Sequence, residues 1–172
     1  GVRAACRFMS GASFRGGAVA AGVATSGPSF GTGDVTGAGK SDILWRASEW
    51  SVAMWFMNGA SFTGASVAAG VSNAYQIAGI GDFNGDGKPD LSVVNFNSSS
   101  VSVLLNNGNG TFAAKVDYAT GANPNFVAIG DFTGDSKGDL AVENVGSNTK
   151  SVLSGRGNGI LAAKVNNETG SL

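Results

Sequence analysis

GDFNGDGKPD, from Gly81 to Asp90, is the stretch that decides how this chain is read. The same phrase recurs as GDVTGAGKSD from Gly33 to Asp42 and as GDFTGDSKGD from Gly130 to Asp139. The leading aspartates Asp34, Asp82 and Asp131 lie 48 and then 49 residues apart. Each copy is acidic and glycine-rich, with oxygen donors at alternate positions, the pattern by which a chain wraps a hard cation such as calcium. A fixed period of this length marks a repeat architecture built from one supersecondary unit at a time.

Working outward, the repetition extends well beyond the loops. RFMSGASFRGGAVAAGV (Arg7 to Val23) returns as WFMNGASFTGASVAAGV (Trp55 to Val71), and SVLLNNGNGTFAAKVDYATG (Ser102 to Gly121) returns as SVLSGRGNGILAAKVNNETG (Ser151 to Gly170). The units are therefore 1–29, the second half of a preceding blade, then full blades over 30–77, 78–126 and 127–172. In the 78–126 unit, Tyr75 to Gly79 leads into the acidic loop, and Leu91, Val93 and Phe96 follow it. Val101, Val103 and Leu105 then alternate with Ser102 and Leu104, and a turn at Asn106 to Gly110 precedes Thr111 to Tyr118. Alternation between turn signals predicts half-buried strands, four per unit, with the acidic loop between the first and second. The fold expected is all-β: about three and a half β-propeller blades of four antiparallel strands, a partial propeller or part of a larger ring.

Composition agrees. The chain has 28 glycines in 172 residues and only 13% charged residues, without the Ala, Glu, Lys and Leu runs that favour helix. Its net charge is −1 and its basic residues are scattered, so no stripe suits nucleic acid or an anionic membrane. No apolar run is long enough to span a bilayer. A single cysteine, Cys6, excludes an internal disulfide framework, and the absence of histidine removes the commonest general base and imidazole metal ligand. With no initiator Met or leader pattern, the chain reads as a mature or excised piece. The acids, by contrast, are concentrated: Asp34, Asp42, Asp82, Asp86, Asp90, Asp131, Asp135 and Asp139 all fall inside the three loops. Asp-rich turns that merely cap strands are the plain alternative, although turns alone need no donor at every second position.

Donor by donor, the second loop is complete: Asp82 at position 1, Asn84 at 3, Asp86 at 5, the Lys88 carbonyl at 7 and Asp90 at 9, with Gly85 and Gly87 letting the backbone curl. Such an oxygen cage suits Ca2+ better than the strict octahedron of magnesium, and zinc lacks its His or Cys ligands. The third loop offers Asp131, Thr133, Asp135, the Lys137 carbonyl and Asp139, with Ser136 in place of a glycine, and is expected to bind more weakly. The first has Asp34, Thr36, the Lys40 carbonyl and Asp42, but Ala38 removes the position 5 carboxylate, so an impaired site is expected there. An EF-hand is excluded because position 12 is Val93 or Val142 rather than a bidentate Glu. Dockerin modules continue into a helix at shorter spacing, and nonapeptide β-rolls lack the long intervening segment.

These residues resemble the FG-GAP/VCBS repeat family of integrin-like β-propellers. The match is close over Gly81 to Val93, nearly so over Gly130 to Val142, and includes the DILWR variant in Gly33 to Arg46, with LLNNGNGTF (Leu104 to Phe112) also of the bacterial type. The resemblance implies propeller blades holding calcium in the loop after the first strand. It also implies a secreted or cell-surface protein engaged in adhesion, carbohydrate binding or the company of a catalytic domain.

Function is therefore expected to be that of a calcium-binding extracellular scaffold whose partner is a protein or glycan on a surface, completed by further blades or other subunits. Alternatives are a lectin-like propeller, with Trp50 and Trp45 as sugar-stacking candidates, and a structural subunit of a surface appendage. Trp packing between blades is the plainer reading of those tryptophans. Catalysis is not expected, because Glu49, Asp117, Glu143 and Glu168, the acids outside the loops, share no motif and glycosidases usually need a facing pair. Asn97, Asn109 and Asn167 head acceptor sequons of the kind that also arise by chance in Asn-rich turns.

Overall fold

A computed structural model describes residues 29–46, 52–68 and 75–168. Residues 1–28 of the expected half-blade, Cys6 and Trp50 among the rest lie outside them. Twelve strands form three four-stranded antiparallel meanders, and no helix occurs among the described residues. The first sheet runs β1 (Ser29–Gly33), β2 (Asp42–Arg46), β3 (Val52–Asn58) and β4 (Ser61–Ala68). The second runs β5 (Tyr75–Gly81), β6 (Asp90–Asn95), β7 (Ser100–Leu104) and β8 (Val116–Ala119). The third comprises β9 (Pro124–Gly130), β10 (Asp139–Asn144), β11 (Thr149–Leu153) and β12 (Val165–Glu168). In every sheet the acidic loop joins the first strand to the second.

The sheets stack, and this corrects the expectation of half-buried strands. Every residue of β6 is buried, Ser92 and Asn95 included, and so is nearly all of β7. Period-2 alternation sends side chains to both faces, and here both faces of the middle sheet are covered. Leu91, Val93 and Leu104 join Val35, Leu44, Val52 and Met54 in the seam with the first sheet. Val94, Val101 and Val103 join Phe83, Val127, Leu140, Val142, Leu153 and Leu161 in the seam with the third. Each such side chain contributes roughly 1.5–3 kcal/mol on burial. Polar residues within these strands are partly paired: Asn95 Nδ2 donates to Ser100 Oγ and Ser102 Oγ at 2.9 Å each, while Asn95 Oδ1 is buried without a hydrogen-bond partner among the described residues.

Glycine sets how closely the first strands approach. A methyl placed on Gly31 would stand 2.5 Å from Ile80 Cδ1, and one on Gly79 would stand 2.5 Å from Ile129 Cδ1. Each seam is also closed by a backbone hydrogen bond in the same direction, Gly110 N–H to the Val35 carbonyl (3.0 Å) and Gly159 N–H to the Phe83 carbonyl (2.9 Å). The position 2 side chains beneath them, Val35 and Phe83, are buried, whereas their counterpart Phe132 is 52% exposed.

The last strand of the second unit is shorter than expected. The pattern over Thr111 to Tyr118 predicts one strand, but only Val116–Ala119 pairs with β7, and Phe112 forms an isolated bridge to Asn106. The reason is local. Gly108 and Gly110 adopt positive φ (76° and 79°), and Asn107 N–H bonds the Thr111 carbonyl at 3.0 Å, so the chain curls before it can rejoin the sheet.

Candidate metal centre

Position 1 organises each acidic loop. The Asp82 carboxylate accepts the N–H groups of Gly85 (2.7 Å), Asp86 (3.2 Å) and Gly87 (2.8 Å), which point inward because Gly85 and Gly87 take φ of 78° and 79°. Asp131 repeats this with Gly134 (2.6 Å), Asp135 (3.1 Å) and Ser136 (2.8 Å). These donors, that of Ser136 foremost, hold its carboxyl below the usual range. In the first loop Asp34 accepts from Ala38 (2.9 Å) and Gly39 (2.7 Å). The carboxylates thus do cap turns, as the plain alternative anticipated, and in doing so they shape the loop.

Position 5 brings an unexpected partner. Asp86 accepts Lys88 Nζ at 2.7 Å and the Lys88 N–H at 2.9 Å, and this lysine is the main reason its carboxyl lies below the usual range. Asp135 is held low in the same way by Lys137, with Nζ at 3.0 Å. The stems of these lysines lie over the later turn of their own sheet: a methyl on Gly108 would meet Lys88 Cε at 2.6 Å, and one on Gly157 would meet Lys137 Cδ at 3.0 Å. Alternate donor spacing gives these residues only a backbone carbonyl role, and the side-chain contact is visible in the structure alone.

Position 9 is buried and structural in all three loops. Asp90 accepts the N–H groups of Phe83 (2.9 Å) and Asn106 (2.7 Å), so one carboxylate ties the start of the loop to the end of the third strand. Asp42 does the same with Val35 (3.0 Å), Thr36 (3.1 Å) and Met57 (2.8 Å), and Asp139 with Phe132 (2.8 Å), Thr133 (3.0 Å) and Gly155 (2.7 Å). Burial pushes the Asp90 carboxyl up, and its N–H donors oppose that rise. Donor spacing marks these aspartates as ligands and does not reveal the latch, whose other half is a backbone N–H with no residue signature.

The donor chemistry fits a hard cation. Asp82 and Asp86 are exposed, Asn84 is half-exposed, and all three keep oxygen lone pairs beyond their loop hydrogen bonds. Among the described residues, however, no three carboxylate, Cys or His side chains converge as a metal-holding group. As the loop stands, the ammonium of Lys88 supplies positive charge at position 5. Asn84 Oδ1 accepts the Asp86 N–H at 3.0 Å, and Thr36 Oγ1 donates to Asp42 at 3.1 Å. Of the tryptophans, Trp45 pairs through its backbone with Ala53, and Trp55 meets Phe62 edge-on at 5.7 Å within the first sheet.

The FG-GAP-like repeat model matches residues 34–93 and 82–142, two overlapping spans that take in all three acidic loops. The chain belongs to the FG-GAP-like repeat family. No curated protein matches it. Among solved structures, this FG-GAP-like chain is similar to a lectin of Agrocybe aegerita described as recognising non-reducing terminal N-acetylglucosamine, at 22% identity and a TM-score of 0.59. That likeness covers 81% of this chain and 37% of the lectin. It is similar also to a chain of the Photorhabdus luminescens Tc holotoxin pore, at 20% identity and a TM-score of 0.51, over 81% of this chain and 7% of the other. The FG-GAP-like chain thus spans well under half the length of either, and at these identities the likeness shows a propeller-like all-β fold.

Proposed function

We propose that the chain is a stretch of β-propeller blades that acts as a calcium-stabilised extracellular binding scaffold rather than an enzyme. The observation that carries the reading is the exposed oxygen rim of the second loop, Asp82, Asn84 and Asp86, presented on a backbone already curled by its own N–H donors. Asp82, Asn84, Asp86, the Lys88 carbonyl and Asp90 would hold the ion, with Asp131, Thr133, Asp135, the Lys137 carbonyl and Asp139 doing so in the third loop. A bound cation supplies positive charge that neutralises clustered carboxylates and adds its binding energy to the folded state. At position 5 the Lys88 ammonium must leave Asp86 first, an exchange open to an exposed pair of small intrinsic strength.

Carboxylates outside the loops support binding over catalysis: Asp117 is engaged by Ser102 and Lys115, and Glu143 lies 3.7 Å from Lys150. Among the described residues no helix is long and apolar enough to cross a membrane. Thermal melts in calcium and in chelator test the metal reading directly. A raised midpoint together with a calorimetric binding isotherm supports it, and identical melts with a flat isotherm overturn it. Glycan binding is the second reading, favoured by the lectin likeness. A glycan array probed with the wild type and with Trp50→Ala separates it from adhesion to protein.

A further inference from the structure

An asparagine is followed by glycine five times in the chain, at Asn58, Asn84, Asn107, Asn109 and Asn158. All five glycines hold a positive φ, from 62° at Gly59 to 79° at Gly110, so backbone conformation does not set one apart. What differs is the hydrogen bonding of the groups that can react. Gly85 donates its N–H to the Asp82 carboxylate at 2.7 Å, and Gly108 donates to Asn106 Oδ1 at 2.8 Å. Gly110 and Gly159 donate to the Val35 and Phe83 carbonyls at 3.0 and 2.9 Å. The asparagine side chains ahead of them are engaged as well. Asn84, Asn109 and Asn158 each accept the N–H two residues on, at 3.0, 3.1 and 3.1 Å, and Asn107 Nδ2 donates to Thr111 Oγ1 at 2.9 Å.

The first sheet has none of this. Its β3–β4 turn is short, pairing Asn58 with Ser61 across Gly59 and Ala60, where the second sheet runs from Asn106 to a bridge at Phe112. Among the described residues neither the Asn58 side chain nor the Gly59 N–H has a hydrogen-bond partner. Asn58, Gly59 and Ala60 are exposed. A methyl on Gly59 would meet nothing within 4 Å, whereas one on Gly110 or Gly159 would strike Phe56 or Leu105.

We propose that Asn58–Gly59 is a site of spontaneous deamidation, where the folded chain converts an amide to a carboxylate with water as co-reactant. The Gly59 nitrogen, on losing its proton to solvent, attacks Asn58 Cγ. A C–N bond forms there, and the side-chain nitrogen leaves as ammonia. Water then opens the five-membered imide at Cγ to give aspartate, or at the Asn58 backbone carbonyl to give isoaspartate. Glycine suits the attack because it has no Cβ to crowd the ring. A donated N–H opposes it, since that bond must break before the nitrogen can shed its proton. At Gly85 the nitrogen would also develop its negative charge against the Asp82 carboxylate. Either product adds one negative charge to a chain of net charge −1, at the rim of the hollow that Asn58 lines with Ala38 and Lys40. The isoaspartyl form also lengthens the main chain of a two-residue turn by one methylene.

The reaction involves no calcium ligand of the third loop and needs no metal, so the full chain is tested in chelator, where failure of the calcium reading leaves it untouched. It is held in mildly alkaline buffer until a urea-unfolded control has converted at all five steps. Peptide mapping by mass spectrometry then reads the aspartyl and isoaspartyl forms at each. In the folded chain Asn58 is expected to convert about tenfold or more faster than the other four, the rate equivalent of the one hydrogen bond each must first break. In urea the five rates should converge. Asn58→Gln should remove the acidic species that accumulates on anion exchange, with the other four rates and the melting midpoint unchanged. Equal folded rates at the five steps, an intact Asn58 at the end of the incubation, or a lead for Asn58 that persists in urea would each overturn the assignment.

Discussion

The first and second acidic loops share a backbone plan and differ in what they leave free. In the second, a lysine closes on a position 5 aspartate and lies across the following turn. In the first, Ala38 and a shorter hairpin undo both contacts and expose a cation beside a hollow. What the two loops keep in common is the position 9 latch, which therefore belongs to the fold, while the rim above it is the part that repeats can vary. One ten-residue motif can thus present carboxylate oxygens on one sheet and an ammonium on the next.

The largest expected effect breaks the shared part. Asp90→Ala orphans the buried N–H groups of Phe83 and Asn106 and should cost about 3 kcal/mol in denaturant unfolding, in chelator as well as in calcium. Asp42→Ala should cost at least as much, since Asp42 holds Val35, Thr36 and Met57. A loss confined to calcium-containing buffer would show position 9 to act through the metal alone and not as a latch. Next comes the rim. Calcium at about a hundredfold excess over its dissociation constant should add roughly 2.7 kcal/mol. Asp86→Ala should forfeit most of that gain while changing chelated stability by less than about 1 kcal/mol, because the Lys88 pair it breaks is exposed.

Ser136 sharpens the comparison between the second and third loops. It sits at φ 63° where Gly87 takes 79°, so Ser136→Gly should raise stability by about 1 kcal/mol, read as a higher unfolding midpoint. The smallest effect concerns acid. Burial raises the Asp117 carboxyl, but Lys115 and Ser102 together outweigh it and hold it below its ordinary 3.8. Its contribution is therefore present above that value and lost as pH falls through the lower folded one. Asp90 has the opposite sign, since its raised value makes acidification relieve a penalty. Asp117→Asn, which reproduces the Asn166 that Ser151 meets in the third sheet, should flatten the acid limb of a pH-unfolding curve below about pH 4.

Much of the fold was legible because its punctuation is local. Gly85, Gly87, Gly108 and Gly110 announce their turns by residue type, and Leu91 to Leu105 announces strands by alternation. Burial of Ser92, Asn95 and Ser102 was not legible, because alternation reports that two faces exist and is silent on what covers them. The site was half legible for a similar reason. Donor spacing marked Asp82, Asn84 and Asp86, but a carboxylate that caps a distant N–H carries the same letter as one that binds metal. Asp90 and Asn106 are 16 residues apart, and nothing in Asn106 advertises its amide. Lys88 and Lys137 were read for their carbonyls because alternate spacing assigns position 7 to the backbone, and only geometry reveals where the side chain goes.

The two backbone hydrogen bonds between loop and turn, Gly110 to Val35 and Gly159 to Phe83, both run from a glycine of the later sheet to a loop carbonyl of the earlier, and Phe132 stands exposed where Val35 and Phe83 are sealed. Every unit is therefore finished by its successor. During synthesis, which delivers the amino-terminal sheet first, each newly emerged sheet keeps a greasy loop and an unclaimed carbonyl until the next one arrives. If the sheets fold as they emerge, the exposed loop travels along the chain with the growing end.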